Sequence, residues 1–563
     1  MKVWLLLIFL CMPVVSAQVG HINLVSVGIG ENDTVTVGST PDLYLEIKPG
    51  NGNIYMDSLP LTKVDTQIST RYANAVACDF LQKDCSKYDF FYTFRLDSNI
   101  VGGPSGGAAI TVLTIAMLDH QSLRKDTIMT GTINAGGLIG PVAGIREKAI
   151  AAKQSGFKRM LIPSLFNNSN ITFPENIEVI TVTNLEEAMY YFTGKNYTKQ
   201  SPAIDVPDIY TQKMFNISEK LCNRYQQLDQ QVDVKKSLKY PAEAAYNSSE
   251  QALQNSSYYS RASFCYTANV RLRELQFQGY SQEELEERYY AVHNLINKFD
   301  KYIDQKPLNT LSDLETFMIV KERIIEARQY LEEIDTKNIS ASILASATER
   351  YYSGVFWSDF YGVSGKTFEF EKEQLRESCL KKIEEASERV NYADLYFPNS
   401  ASERARELAL AYHYSDEGNY DLCLFKASKV KADTDMLLTA LFVEVDQTEV
   451  LLNEKLQQTE KVLALQQSRG NFPILGYSYY QYAQSLKESD PYSALIYLEY
   501  AIELSNLDMY FPPEKKFSLP IIDYRYFLVL LIGFLGGMLV MVLIKGKSEK
   551  YKQKKYKKKK AKR

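Results

Sequence analysis

Histidine is scarce in this chain: His21, His120, His293 and His413 are the only four in 563 residues, and none stands at a metal-ligand spacing from another. That pattern excludes a zinc-hydrolase signature and leaves no good histidine base for a nucleophile, so no metal or other cofactor is expected. A phosphate loop is missing as well. The nearest approach, Gly362-Val363-Ser364-Gly365-Lys366-Thr367, has Phe360 where the first glycine must stand and no apolar strand leading into it. Positive charge is outnumbered by negative until the last residues. From Gln18 to Ile544 there are 67 acidic against 51 basic residues, a balance of -16, which argues against nucleic acid as a partner.

Two apolar runs stand out against this background. The first follows Lys2, runs from Val3 to Leu10 and on through Met12 to Val15, and ends in the small-residue triplet Val15-Ser16-Ala17. It reads as a signal peptide over residues 1–17, cleaved before Gln18, because it is short for a membrane span. The second, Phe527 to Ile544, carries no charge and spans about 27 Å as a helix. With Tyr526 it is the expected transmembrane helix, 526–544. The tail 545–563 holds twelve Lys/Arg against the single acid Glu549. The positive-inside bias places that tail in the cytoplasm and the large N-terminal part outside it, as a single-pass protein of the cell membrane in contact with lipid. Gly533 and Gly537 form a GxxxG pair, a weak signal for helix association.

Export agrees with two further features. Eight Asn-x-Ser/Thr sequons, at Asn32, Asn167, Asn170, Asn196, Asn216, Asn247, Asn255 and Asn338, lie in the exported part as glycosylation candidates, although chance would supply several. Six cysteines remain after cleavage, Cys78, Cys85, Cys222, Cys265, Cys379 and Cys423. Disulfides and free thiols are equally open readings; of the pairings only Cys78 with Cys85 is favoured, by its short loop.

Composition changes near residue 200. Before it, short strand-like runs (Ile22 to Val27, Val35 to Val37, Leu43 to Ile47, Phe90 to Leu96, Met160 to Ile162, Glu178 to Val182) alternate with Gly/Pro/Asn punctuation and helical patterns. After it, long amphipathic segments rich in Glu, Lys, Leu, Ala and Tyr run to about residue 510. The expectation is an α+β domain over 18–200, a linker through Ser201-Pro202 to Pro207, and an all-helical domain over 208–510. Two stretches of that domain, Ala405 to Ala427 and Tyr477 to Ala501, carry the small-and-aromatic pattern of tetratricopeptide hairpins. The period is not kept, so irregular antiparallel helices are preferred to a repeat array.

Chemistry concentrates at Gly103-Pro104-Ser105-Gly106-Gly107. Ser105 opens Gly106 to Leu118, apolar on nearly every face and therefore read as a buried helix. A hydroxyl at a helix N-terminus meets unpaired N–H groups and the positive end of the dipole, where an oxyanion is stabilised. Gly103 and Gly106 would let a substrate backbone approach closely. Taken alone, the segment suits an ordinary N-cap serine at least as well. Lys148 alters the balance. It sits in a helix over Gly144 to Ala152 whose apolar side is Ile145, Ala149 and Ala152; turned inward, its amine would lose hydration, its pKa would fall, and it could accept the serine proton.

The order of these motifs resembles a known family. Gly-Pro-Ser-Gly-Gly at 103–107 is followed by Met129-Thr130-Gly131-Thr132-Ile133, then Gly137 to Ala152 with Lys148, then Gly156-Phe157-Lys158 and Leu161-Ile162-Pro163. Over roughly residues 20 to 195 this resembles the proteolytic domain of Lon-type serine peptidases. The resemblance implies Ser105 as nucleophile, Lys148 as general base and Thr130 as a neighbour bonded to the lysine. Two positions depart from the family's pattern: Gly102 and Thr132 stand where acidic residues are usual. The ATPase module that Lon proteases carry does not match the helical region, so the chain looks similar to archaeal Lon-like proteins with a signal peptide and membrane anchor. The expected function is an ATP-independent serine endopeptidase acting outside the cytoplasm on unfolded or flexible proteins, with homo-oligomerisation left open. The alternative is a non-catalytic envelope scaffold that keeps a relic of the fold and binds protein partners through its helices.

Overall fold

The computed structural model describes residues 19–29, 35–59, 61–95, 102–164, 172–198, 203–363, 365–368, 370–397, 402–442, 448–511 and 524–560. The signal-peptide segment, Asn32, Asn167, Asn170 and the Ser201-Pro202 part of the linker lie outside the described residues.

Among the described residues, strands are confined to the first part of the chain. β1 (Val19–Asn23), β4 (Asp42–Pro49) and β6 (Tyr88–Arg95) pair antiparallel, and β5 (Ile54–Leu59) adds to β6 in parallel, giving the order β1-β4-β6-β5. The register sets Leu43 opposite Phe94, Leu45 opposite Tyr92 and Ile47 opposite Phe90. Period-two alternation thus puts one apolar face on one side of the sheet. The expected run Ile22 to Val27 is split, because the chain turns at Leu24 and starts a separate hairpin of β2 (Ser26–Ile29) with β3 (Val35–Ser39).

That apolar face is covered by α1 (Val64–Leu81) and α2 (Gly107–Leu118). All twelve residues of α2 are buried, as an all-round apolar sequence requires. A second, parallel sheet has the order β11-β10-β7, from β7 (Thr127–Met129), β10 (Arg159–Pro163) and β11 (Glu178–Val182). Between β7 and β10 come the short hairpin of β8 (Thr132–Ile133) with β9 (Ile139–Gly140) and then α3 (Ile145–Gln154). α4 (Leu185–Thr193) closes this part with Leu185, Ala188, Met189 and Phe192 in the same core as α2.

From Asp208 to Ser505 the described elements are helices: α5 (Asp208–Gln231), α6 (Lys236–Gln254), α7 (Tyr258–Gln278), α8 (Gln282–Ile303), α9 (Leu311–Glu332), α10 (Ala341–Trp357), α11 (Lys372–Tyr396), α12 (Ser402–Asp416), α13 (Tyr420–Phe442), α14 (Thr448–Ser468), α15 (Ile474–Leu486) and α16 (Pro491–Ser505). Capping boxes at Ser281/Glu284 and Thr310/Asp313 start α8 and α9. The two tetratricopeptide-like stretches fall on α12–α13 and α15–α16, each a packed helix pair, with α14 intervening. Residues up to Pro512 form one compact unit, so the α+β and helical parts share a boundary. Three disulfides staple it: Cys78–Cys85, as expected, and Cys222–Cys265 and Cys379–Cys423, each joining two helices.

The remaining unit holds α17 (Tyr524–Lys560), which is long and apolar enough over Leu528–Lys555 to cross a membrane. The helix does not stop at Ile544 but runs on through the basic residues. The fold is thus an α+β domain, a mostly helical domain and one C-terminal apolar helix.

Candidate active site

Ser105 occupies a tight turn, Pro104–Gly106, that leads straight into α2. Gly103 enters that turn at φ +101°, a conformation that side-chain-bearing residues avoid, and Pro104 presets the first helical φ. The N-cap positions are Gly103 and Gly106, and neither turn has a side-chain cap bond. The N-cap alternative for Ser105 therefore fails: its half-buried side chain caps nothing and sits at the N-terminal, positive end of α2.

Thr130 directly follows β7, and its N–H bonds Leu161 O on β10 at 3.1 Å, which fixes it to the parallel sheet. Two donors meet the Ser105 carbonyl: Gly131 N at 3.0 Å and Thr130 Oγ1 at 3.2 Å. Ala108 N returns a 3.1 Å bond to Gly131 O, so the serine turn and the threonine loop are laced together.

Lys148 arrives from α3. Gly144 begins that helix in the left-handed region, φ +68°, and Ile145, Ala149 and Ala152 face the core as their spacing predicts. Lys148 shares the inward side and is only 2% exposed. Its Nζ donates to Thr130 Oγ1 at 3.0 Å. Burial pushes the amine down to about 7, with no charged partner contributing. Neither departure from the family's pattern supplies a carboxylate: Gly102 is exposed, with the aliphatic stem of Lys63 filling the space where a side chain would start, and Thr132 is a buried hydroxyl. Thr130 spends its own proton on the Ser105 carbonyl, so it can only accept from Lys148. The lysine is joined to the serine residue through Thr130, and the Ser105 Oγ is not part of that link.

Other expected features fall elsewhere. The loop at 362–367 cannot receive phosphate as a Walker motif does: Phe360 is fully buried in the helical core, and Gly362 N donates to the Asp313 carboxylate at 2.9 Å. His21 pairs with Asp42, and His120 lies just past the end of α2. Asn196, Asn216, Asn247, Asn255 and Asn338 are all exposed. Cavities of about 330 and 470 Å³ exist in and beside the helical region, but neither is lined by Ser105, Thr130 or Lys148. Sequence reasoning missed Arg389 and Tyr392, two residues of α11 that reach the loops near Ser105, Thr130 and Lys148. They lie more than 240 residues from Lys148, and no local pattern marks them.

Comparison with known proteins finds one family over this part of the chain. The Lon protease (S16) C-terminal proteolytic domain matches residues 97–191. The chain is 38% identical over 91 residues to Lon protease of Phenylobacterium zucineum, covering 16% of this chain and 12% of that protein. It is 32% identical over 118 residues to Lon protease 2 of Myxococcus xanthus, covering 20% and 14%. It is 32% identical over 98 residues to the peroxisomal Lon protease homolog 2 of Zea mays, covering 16% and 11%. The chain thus spans only about an eighth of the length of these relatives. With α2, the parallel sheet and α3 all inside the matched residues, the chain carries a Lon-type (S16) proteolytic domain.

Proposed function

We propose that this protein is a membrane-anchored serine endopeptidase that works without ATP, with Ser105 as nucleophile and Lys148 as general base. The observation that carries the reading is a fully buried lysine, lowered to about 7, bonded to a threonine that is itself bonded to the serine backbone. Near neutral pH a large share of such an amine is unprotonated. One of its N–H groups goes to Thr130, and its lone pair is left to take a proton.

The steps balance with these groups alone. Ser105 Oγ attacks the peptide carbonyl carbon as its proton passes to Lys148 Nζ. The developing oxyanion is stabilised by the positive end of the α2 dipole. Collapse breaks the C–N bond, the leaving amine takes the proton from Lys148, and an ester to Ser105 remains. Water then attacks that ester, again losing a proton to Lys148, which returns it to the departing Ser105 oxygen.

Unfolded or flexible polypeptide is the proposed substrate, since no phosphate loop to power unfolding is found among the described residues of the helical region. The apolar helix α17 supports the anchor, and the excess of Lys/Arg after Ile544 supports a cytoplasmic tail with the peptidase on the other side. The test is cleavage of an unfolded protein by the full chain in detergent, without nucleotide. Wild type should cleave, and Ser105→Ala should not. Equal inactivity of the two would leave the non-catalytic scaffold as the better account.

A further inference from the structure

Ser105 stands in the turn before α2, Thr130 in the loop after β7 and Lys148 in the first turn of α3, and one turn of α11 touches residues close to all three. Arg389 and Tyr392 are three residues apart and so share a helix face. The Tyr392 hydroxyl accepts a 3.2 Å hydrogen bond from Ala143 N, next to the Gly144 that begins α3 and carries Lys148 into place. The Tyr392 ring lies beside Gly103, where an added Cβ would stand 3.8 Å from Cε2, two residues before Ser105. Arg389 Nη2 donates to Ile133 O at 2.7 Å and to Asn134 Oδ1 at 2.9 Å, in the hairpin that follows Thr130. Both side chains are buried. Arg389 is held from behind by Asp435 of α13 at 2.8 Å and by Glu388 at 3.1 Å, and Cys379–Cys423 ties α11 to α13.

We propose that Arg389 and Tyr392 are positioning residues of the peptidase, and that α11 holds the serine turn, the threonine loop and the start of the lysine helix in one mutual register. No acidic side chain stands at position 102 or 132 to brace these loops from within the α+β domain, and the outside support comes from the helical region. The helical region is then a working part of the active site as well as a spacer. A backbone shift of even about 1 Å at a reacting group lowers turnover far more than it lowers stability. The kinetic half of this proposal rests on the peptidase reading.

Tyr392→Phe keeps the ring and removes the acceptor for Ala143 N. Arg389→Lys keeps the charge beside Asp435 and Glu388 and loses the forked pair of bonds. Both variants of the full chain are compared with wild type by amide hydrogen exchange and by peptide turnover, with the exposed Tyr412→Phe as control. Exchange should quicken at 103–107, 131–134 and 143–148 but not across the rest of α11. In those variants kcat should fall about ten-fold with KM within about two-fold. Unchanged exchange at the three loops, or full kcat in both variants, overturns the proposal. If wild type itself proves inactive, the peptidase reading falls on that result, while the exchange data still decide whether α11 sets the loops.

Discussion

Lys148 Nζ lies 3.0 Å from Thr130 Oγ1, and the threonine proton is already committed to the Ser105 carbonyl. The lysine must therefore donate to the threonine, which leaves its lone pair aimed elsewhere. Thr130→Val removes that acceptor while keeping the volume. Turnover of a peptide substrate should drop about 10²-fold, the lower end of what a positioned base contributes. Retention of full activity would remove Thr130 from the mechanism.

The acid limb of the pH profile follows from the same burial. On the proposed mechanism Lys148 serves as base only when neutral, and burial pushes its amine down to about 7. The kcat/KM of the wild type should therefore rise about ten-fold per pH unit below that value and level off above it. A profile flat from pH 5 to 8 would show that no such amine governs the reaction.

Stability should move the opposite way from activity when this lysine is replaced. The folded-state value near 7 lies below the ordinary 10.5, so between those limits the unfolded chain holds a proton that the folded chain has lost. Below pH 7 burial of the charged amine costs its full amount, and the cost fades as pH climbs to 10.5. Lys148→Met removes the charge, and denaturant melts at pH 6 should show a gain of roughly 1–3 kcal/mol with activity abolished. A variant less stable than wild type at pH 6 contradicts a desolvated lysine.

Cys379–Cys423 closes a loop of 44 residues and clamps α11 to α13. On the chain-entropy account its loss, by the paired replacement Cys379→Ala with Cys423→Ala, should lower stability by about 4 kcal/mol. Turnover should suffer too, since Arg389 and Tyr392 ride on the clamped helix. Thermal midpoints and kcat measured on the same samples test both consequences.

Arg469, just beyond α14, grips Asp79 of α1 through Nη1 at 2.8 and 3.0 Å and reaches the Asp79 carbonyl at 3.3 Å. This is a forked ion pair between the helical and α+β parts, with the arginine largely buried. Arg469→Ala should destabilise the unit by about 2–4 kcal/mol, and limited proteolysis should then separate the two parts. Unaltered melting would show that this ion pair adds nothing to the hold between the two parts.

The α+β part was legible because its signals are local. Alternation in β4 and β6, the all-apolar α2 and the Gly-Pro-Ser turn each declare themselves within a dozen residues. Ser105 alone read slightly better as a cap than as a nucleophile, and only the folded turn, with glycines at both N-cap positions, separates the two. Two disulfides stayed out of reach because fifteen pairings are open and helix packing chooses among them. The helix after Ile544 was missed because a charge run reads as a tail, whereas it continues the preceding helix without a break.

By itself the sequence determined which residue types could do chemistry: a serine at a glycine-rich helix start, a lysine on an alanine-rich helix, and no histidine or phosphate loop to compete with them. Tertiary structure alone decided that Lys148 is dry, that Thr130 links it to the serine backbone, and that a helix 240 residues away props up their loops. The reason is physical: desolvation and hydrogen-bond direction depend on what surrounds a side chain, and those surroundings come from parts of the chain that only folding brings together.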